Sequence, residues 1–275
     1  MPEAIDSGVA RTWIERVEGE RRELVRDEVA IEEPLEIRVD GRALAVTMRT
    51  PGQDEELAVG FLLGEGLIAA ADDVAGAGPN AELEANIVEV ATRAGLRRDP
   101  FAERRFHMTS SCGVCGKGAL EQIRLEVPER PRAPVRIEPA EVLELPGRTR
   151  LAQDAFERTG GIHATALFTP AGDLQVLRED VGRHNAMDKA IGSMLLGDGA
   201  TGAAGTLACL SGRIGFELVQ KAVMAGLSGI VAVGAPTSLA VELAQEHGLL
   251  VCGFVRDGSF NVYSGAEQVT GRSGE

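Results

Sequence analysis

Residues 135–275 predict an α/β domain with a mixed sheet and helices on both faces, preceded by a smaller α+β domain over residues 29–134. Three observations carry this. Strand-like and helix-like segments alternate after an opening hairpin. Apolar residues make up 44% of the chain but aromatics only 4%, which suits packed α/β layers better than a β-sandwich. Pro128, Pro131 and Pro134 form a linker between the two parts.

The elements follow in order. Residues 1–28 are charged and weakly patterned and read as a flexible start. Leu35, Ile37 and Val39 alternate with polar neighbours, Asp40-Gly41 marks a turn, and residues 43–48 return as the second strand. Asp54 is placed to cap a helix reaching about residue 67, with Leu57, Phe61, Leu62 and Ile68 on its apolar face. Residues 69–82, rich in Ala, Gly, Asp and Asn, predict a loop, and residues 87–91 and 122–127 predict strands. In the second part, residues 140–158 predict a helix, with Pro146-Gly147 as the point of interruption. A hairpin follows over residues 165–169 and 174–178, then helices at 183–196, 216–225 and 237–247. Strands are expected at 206–210, 229–234, 249–255 and 260–263.

Composition excludes some functions. The formal charge of −14 repels nucleic acid and anionic membranes, and neither is expected as a partner. No apolar run reaches the ~18–20 residues that cross a bilayer, and the N-terminus lacks the apolar core of a secretory signal. The cytoplasm is the expected location. There a close cysteine pair points to redox, transfer or metal chemistry before a structural disulfide.

Such a pair stands in Ser110-Ser111-Cys112-Gly113-Val114-Cys115-Gly116-Lys117-Gly118. Its glycines disfavour a regular helix and suit a mobile loop. From spacing alone the pair fits thiol chemistry, half of a metal site or simple packing. Lys117 is the nearby cation that would favour a thiolate. His107 would extend a metal site, but no fourth ligand is evident, and no metal is expected. Cys209 and Cys252 sit inside apolar strands and read as buried hydrophobes. His163 and His184 read as structural histidines, for want of a positioned partner.

Three strand-to-helix junctions carry polar or glycine-rich sequence where open α/β sheets bind ligands: residues 179–185, 211–215 and 234–238. Ordinary capping accounts for any one of them, with Ser211 and Thr237 as the capping side chains.

In order and spacing, several stretches together resemble the formate dehydrogenase accessory sulfurtransferase family, FdhD/NarQ. They are Arg49-Thr50-Pro51-Gly52 with residues 56–62, Ser111 through Lys117, residues 159–164, residues 179–189, residues 235–241 and residues 254–263. Gly215 and Gly234 depart from the family pattern, where serine is usual.

The resemblance implies a sulfur carrier. Cys112 matches the cysteine that accepts persulfide sulfur from a cysteine desulfurase, and Cys115 matches the assisting cysteine. The recipient is the molybdenum cofactor, as bis(molybdopterin guanine dinucleotide), before its insertion into the catalytic subunit of formate dehydrogenase. Phe254, Val255, Arg256, Asp257, Gly258 and Ser259 match the cofactor-binding segment, and Arg183 and Arg213 are further candidate contacts. The family also suggests a homodimer. It implies a cytidine-deaminase-like, three-layer second domain, although this chain lacks the H-x-E and P-C-x-x-C zinc signature of the deaminases. The alternatives are a cofactor chaperone that moves no sulfur and a structural zinc protein.

Overall fold

The computed structural model describes residues 3–4, 8–79, 86–100, 135–197 and 205–271. The first part opens with β1 (Glu3–Ala4), β2 (Val9–Glu18) and β3 (Arg21–Ala30), a three-stranded antiparallel ribbon. It continues through β4 (Glu33–Val39), β5 (Arg42–Arg49), helix α1 (Asp54–Gly64), β6 (Val74–Pro79) and β7 (Ile87–Thr92). These last four strands form a sheet in the order β5-β4-β7-β6, parallel only between β4 and β7.

The second part contains α2 (Pro139–Leu151), α3 (Asp154–Thr159), β8 (His163–Phe168), β9 (Leu174–Asp180), α4 (Arg183–Leu196), β10 (Leu207–Leu210), α5 (Phe216–Ala225), β11 (Gly229–Ala232), α6 (Ser238–Glu246), β12 (Leu250–Arg256) and β13 (Ser259–Ser264). Its six strands run β13-β12-β11-β10-β8-β9, with β10, β11 and β12 parallel to one another and the other pairs antiparallel.

The period-2 geometry of the strands divides the core into two layers. Leu207, Cys209, Val231, Leu250 and Cys252 pack against Val142 and Leu145 of α2. Ala208, Leu210, Ile230, Ala232 and Val251 face the opposite way, toward α4, α5 and α6. Central strands buried on both faces read as unbroken apolar runs, which is why the sequence marks them clearly.

The second layer does not stop at the end of the sheet. It runs through α1 into Leu35, Ile37, Val88 and Val90 of the first part. After its acidic first turn helix α1 is apolar all round, and every residue from Leu57 to Gly64 is buried. It meets α4 backbone to backbone: a Cβ on Gly60 would overlap the Asp188 carbonyl, and one on Gly192 the Glu56 carbonyl. The two parts expected from the sequence therefore share one core. The linker placed at Pro128–Pro134 and the strand expected over residues 122–127 lie outside the described residues.

Four local readings are corrected. Residues 9–28 of the segment expected to be a flexible start form, with Val29 and Ala30, the long β2–β3 hairpin in full cross-strand register. Most of its side chains meet solvent, so no apolar alternation betrays it; Arg11–Glu28 and Arg22–Glu15 pairs and Arg26 over the Trp13 ring hold it together. Residues 74–79, expected as loop, form β6, whose Ala/Gly backbone is held by pairing with β7. Helix α2 runs through Pro146, and the break comes at Ala152–Gln153 instead. Glu179 on β9 explains that position, because its carboxylate accepts the N–H groups of Ala155 and Phe156 and so fixes where α3 begins. Asp54 does not cap α1; its carboxylate takes a two-bond grip from Arg49, at 2.9 and 2.8 Å.

Candidate functional site

The three junctions singled out in the sequence meet at one end of the six-stranded sheet. Gly212 follows β10, Gly234 follows β11, and Gly253 lies within β12. Their backbones press together: a Cβ on Gly234 would sit 2.6 Å from the Gly212 carbonyl oxygen, and one on Gly253 3.1 Å from that of Gly234. As it stands, this backbone has no room for a side chain at 234. Gly215 has open space around it and N-caps α5 in an extended conformation, with no side chain to offer a capping hydroxyl. Thr237 does cap α6, accepting from the Ala240 N–H. Ser211 does not cap; its hydroxyl oxygen accepts the Ala164 N–H at 2.9 Å and ties β8 to β10.

The predicted cofactor segment is the β12–β13 hairpin. Asp257 and Gly258 form its turn with φ of 53° and 73°, and Phe254 also adopts a positive φ, 54°, at an irregularity in the pairing. Phe254 donates its N–H to the Gly234 carbonyl at 3.1 Å, which binds the segment to the third junction. Its half-exposed ring lies 5.8 Å from the Arg256 guanidinium. Ser259 donates its hydroxyl to the Arg256 carbonyl. Val255 is different: its side chain is part of the core beneath α2, leaving only its backbone to offer a ligand. Arg183 is partly buried at the start of α4 and Arg213 exposed before α5; neither makes a hydrogen bond or ion pair among the described residues. Cys112 and Cys115 lie outside the described residues.

Beside the first junction is a fully buried lock. Asp180 pairs with Lys189 at 2.7 Å, both with no exposed side-chain surface. The same carboxylate accepts the Thr50 and Gly182 N–H groups and the Asn185 amide. Lys189 donates to the Thr50 carbonyl, Thr50 Oγ1 accepts the Val181 N–H, and Asn185 also donates to the Met48 carbonyl. Two motifs that look functional in sequence, Arg49–Gly52 and Glu179–Lys189, therefore serve each other as scaffold.

The histidines have partners that sequence did not reveal. His184 Nε2 lies 2.7 Å from Glu217 Oε2, joining the starts of α4 and α5. That hydrogen bond holds the Glu217 carboxyl below the usual carboxylate range. His163, at the start of β8, is kept toward its neutral form: burial lowers its pKa, and Arg183 and His184 add to this against the pull of Asp180. Cys209 and Cys252 are buried, as expected, and burial pushes both thiols up to about 12. Among the described residues no three His, Cys, Asp or Glu side chains converge as a metal site would require.

A cleft of about 600 Å³ opens between α2–α3 and the ends of β8, β10 and β11. Arg150, Gln153 and Phe156 line it from the helices; His163, Ser211 and Val233 line it from the sheet. Sequence reading passed over it because residues 149–156 look like ordinary surface helix.

Comparison with known proteins is consistent over nearly the whole chain. The model of the FdhD/NarQ family matches residues 30–270. A sulfur carrier protein FdhD from Streptomyces avermitilis is 46% identical, covering 92% of this chain and 96% of that one. One from Mycolicibacterium paratuberculosis is 47% identical, covering 88% and 91%. A crystal structure described as a formate dehydrogenase accessory protein, from Desulfotalea psychrophila, superimposes with a TM-score of 0.76 at 25% identity, over 96% of this chain and 100% of the other.

Proposed function

The chain belongs to the FdhD/NarQ family, and from that membership we propose that it carries sulfur to the molybdenum cofactor during maturation of a formate dehydrogenase. The observation that carries this reading is the pair Cys112 and Cys115, set in a chain 46% identical to named sulfur carriers. The other two cysteines support it by contrast: with thiols pushed up to about 12 and no exposed surface to speak of, Cys209 and Cys252 are unfit as nucleophiles.

Two transfers follow. The Cys112 thiolate attacks the outer sulfur of a desulfurase persulfide; the old S–S bond breaks, the desulfurase thiolate leaves, and Cys112 holds a persulfide. Cys115 then attacks the inner sulfur, forming a Cys112–Cys115 disulfide. Its electron pair releases the outer sulfur as sulfide to the cargo, bis(molybdopterin guanine dinucleotide) carrying molybdenum. A dithiol reductant resets the pair. The segment from Phe254 to Ser259, together with Arg183 and Arg213 near the helix starts, is the proposed seat of the cargo. The six-stranded sheet between helical layers supports a cytidine-deaminase-like second half. A desulfurase as donor, the catalytic subunit of formate dehydrogenase as recipient, a second copy of the chain as dimer partner and a cytoplasmic location complete the proposal. No helix among the described residues is long and apolar enough to cross a membrane.

Incubation with cysteine and a desulfurase should add about 32 Da to Cys112, read by peptide mass spectrometry. In cells, Cys112→Ala should abolish active formate dehydrogenase. Full activity in that variant would overturn sulfur transfer, and a chaperone that only holds the cofactor would take its place.

A further inference from the structure

The β2–β3 ribbon carries an apolar patch that no described residue covers. Its base is fixed to the body: Val9 and Ala10 are buried, and Arg158 of α3 donates to Glu28 at 2.7 Å. From Trp13 to Arg26 it stands in solvent, with only Ile14 and Val25 partly shielded. The register pairs Trp13 with Arg26, Glu15 with Leu24 and Val17 with Arg22, so period-2 geometry sets Trp13, Leu24 and Val17 on one face. They are 59%, 67% and 52% exposed. The charges around them already have partners: Arg22 reaches Glu15 at 2.8 Å, and Arg26 lies over the Trp13 ring at 5.0 Å. Over residues 9–30 five arginines meet six carboxylates, a net −1 in a chain of −14. In water a lone two-stranded ribbon is marginal, and an exposed apolar patch marks a contact surface.

The patch says what kind of surface meets it. With its charges paired inside the ribbon it offers little net charge, so the contact is apolar. Six residues of each strand make a footprint of roughly 20 by 10 Å, well under the ~800 Å² that each side of a stable complex buries. That suits a visitor better than a permanent subunit, and a second copy would bring a further −14 of like charge. The ribbon's place narrows the choice of visitor. Its base leans on α3, whose Phe156 lines the cleft at the end of the sheet. An enzyme that buries a cofactor stands open until it is loaded, with apolar interior walls exposed to water.

We propose that Trp13, Leu24 and Val17 dock the open apolar surface of a cofactor-free acceptor enzyme and hold it beside the cargo end until it is loaded. Resting on the carrier reading above, that acceptor is the catalytic subunit of formate dehydrogenase.

Trp13 is the chain's one tryptophan, so 5-fluorotryptophan places a single fluorine label in the patch. Its resonance should shift or broaden when the purified cofactor-free catalytic subunit is added. Leu24→Gln, which keeps the label, should weaken that binding about tenfold by calorimetry while the melting temperature stays unchanged. Raising the salt from about 50 to 500 mM should alter the affinity little, because the contact is apolar. A resonance that the cofactor-free subunit leaves unmoved, an affinity indifferent to Leu24→Gln, or binding that fades steeply with salt would each overturn the assignment. A shift that instead follows the chain's own concentration would give the face to a second copy, and one produced by anionic vesicles would give it to a membrane; either result overturns it. An unmoved resonance with the Cys112 adduct intact leaves the carrier reading standing, and loss of the adduct with the shift intact does the reverse.

Discussion

Two polar clusters sit at the same end of the six-stranded sheet and are built to opposite rules. Around Asp180, Lys189, Thr50 and Asn185, charges and amides close on one another with no exposed surface at the central pair. In the cleft a few residues away, Gln153 is as thoroughly buried but keeps a donor without a partner. Equal burial hides a difference: the first cluster closes its polar groups on one another, and the second does not. The closed cluster ties the first part of the chain to the sheet, while the open one borders a cleft.

The largest test breaks the lock. Lys189→Met leaves the Asp180 carboxylate buried without its counter-ion and should cost about 3–5 kcal/mol in urea unfolding. A loss under 1 kcal/mol would mean the cluster is not the scaffold it resembles. Thr50→Val is milder. It removes the acceptor of the Val181 N–H but keeps the shape, and should cost about 1–2 kcal/mol by the same measurement. The smallest effect is one of pH. Since the folded pKa of His163 lies below 6.5, the unfolded chain takes up the proton first as the pH falls. The stability His163 contributes is therefore fully present above about pH 6.5 and is lost as the pH falls from there through the folded pKa. Melting temperatures measured between pH 7.5 and 5.5 should decline less in His163→Gln than in the unaltered chain; parallel curves would remove His163 from the balance.

The sequence disclosed what depends on continuous pattern. The apolar runs of β10, β11 and β12 named the central strands, and α4 and α5 began and ended where their periodicity and glycines placed them. It hid what depends on partners. The β2–β3 ribbon has no apolar face to announce it, and β6 is a strand only because β7 accepts it. The site was half visible. The junctions stood out by composition and the Phe254–Ser259 segment through the family resemblance alone, but Val255 looked no different from its neighbours until its side chain was seen in the core. His184 gained a role only once α5 brought Glu217 beside it. Gln153 gives no signal in sequence at all, because its meaning is the lack of a neighbour.

The glycine contact between α1 and α4 has a mechanical consequence. With Gly60 and Gly192 letting two helix backbones touch inside a common core, the molecule has no shear plane between its halves. A bulkier residue at either glycine would have to part the two helices, and with them the two sheets they pack against.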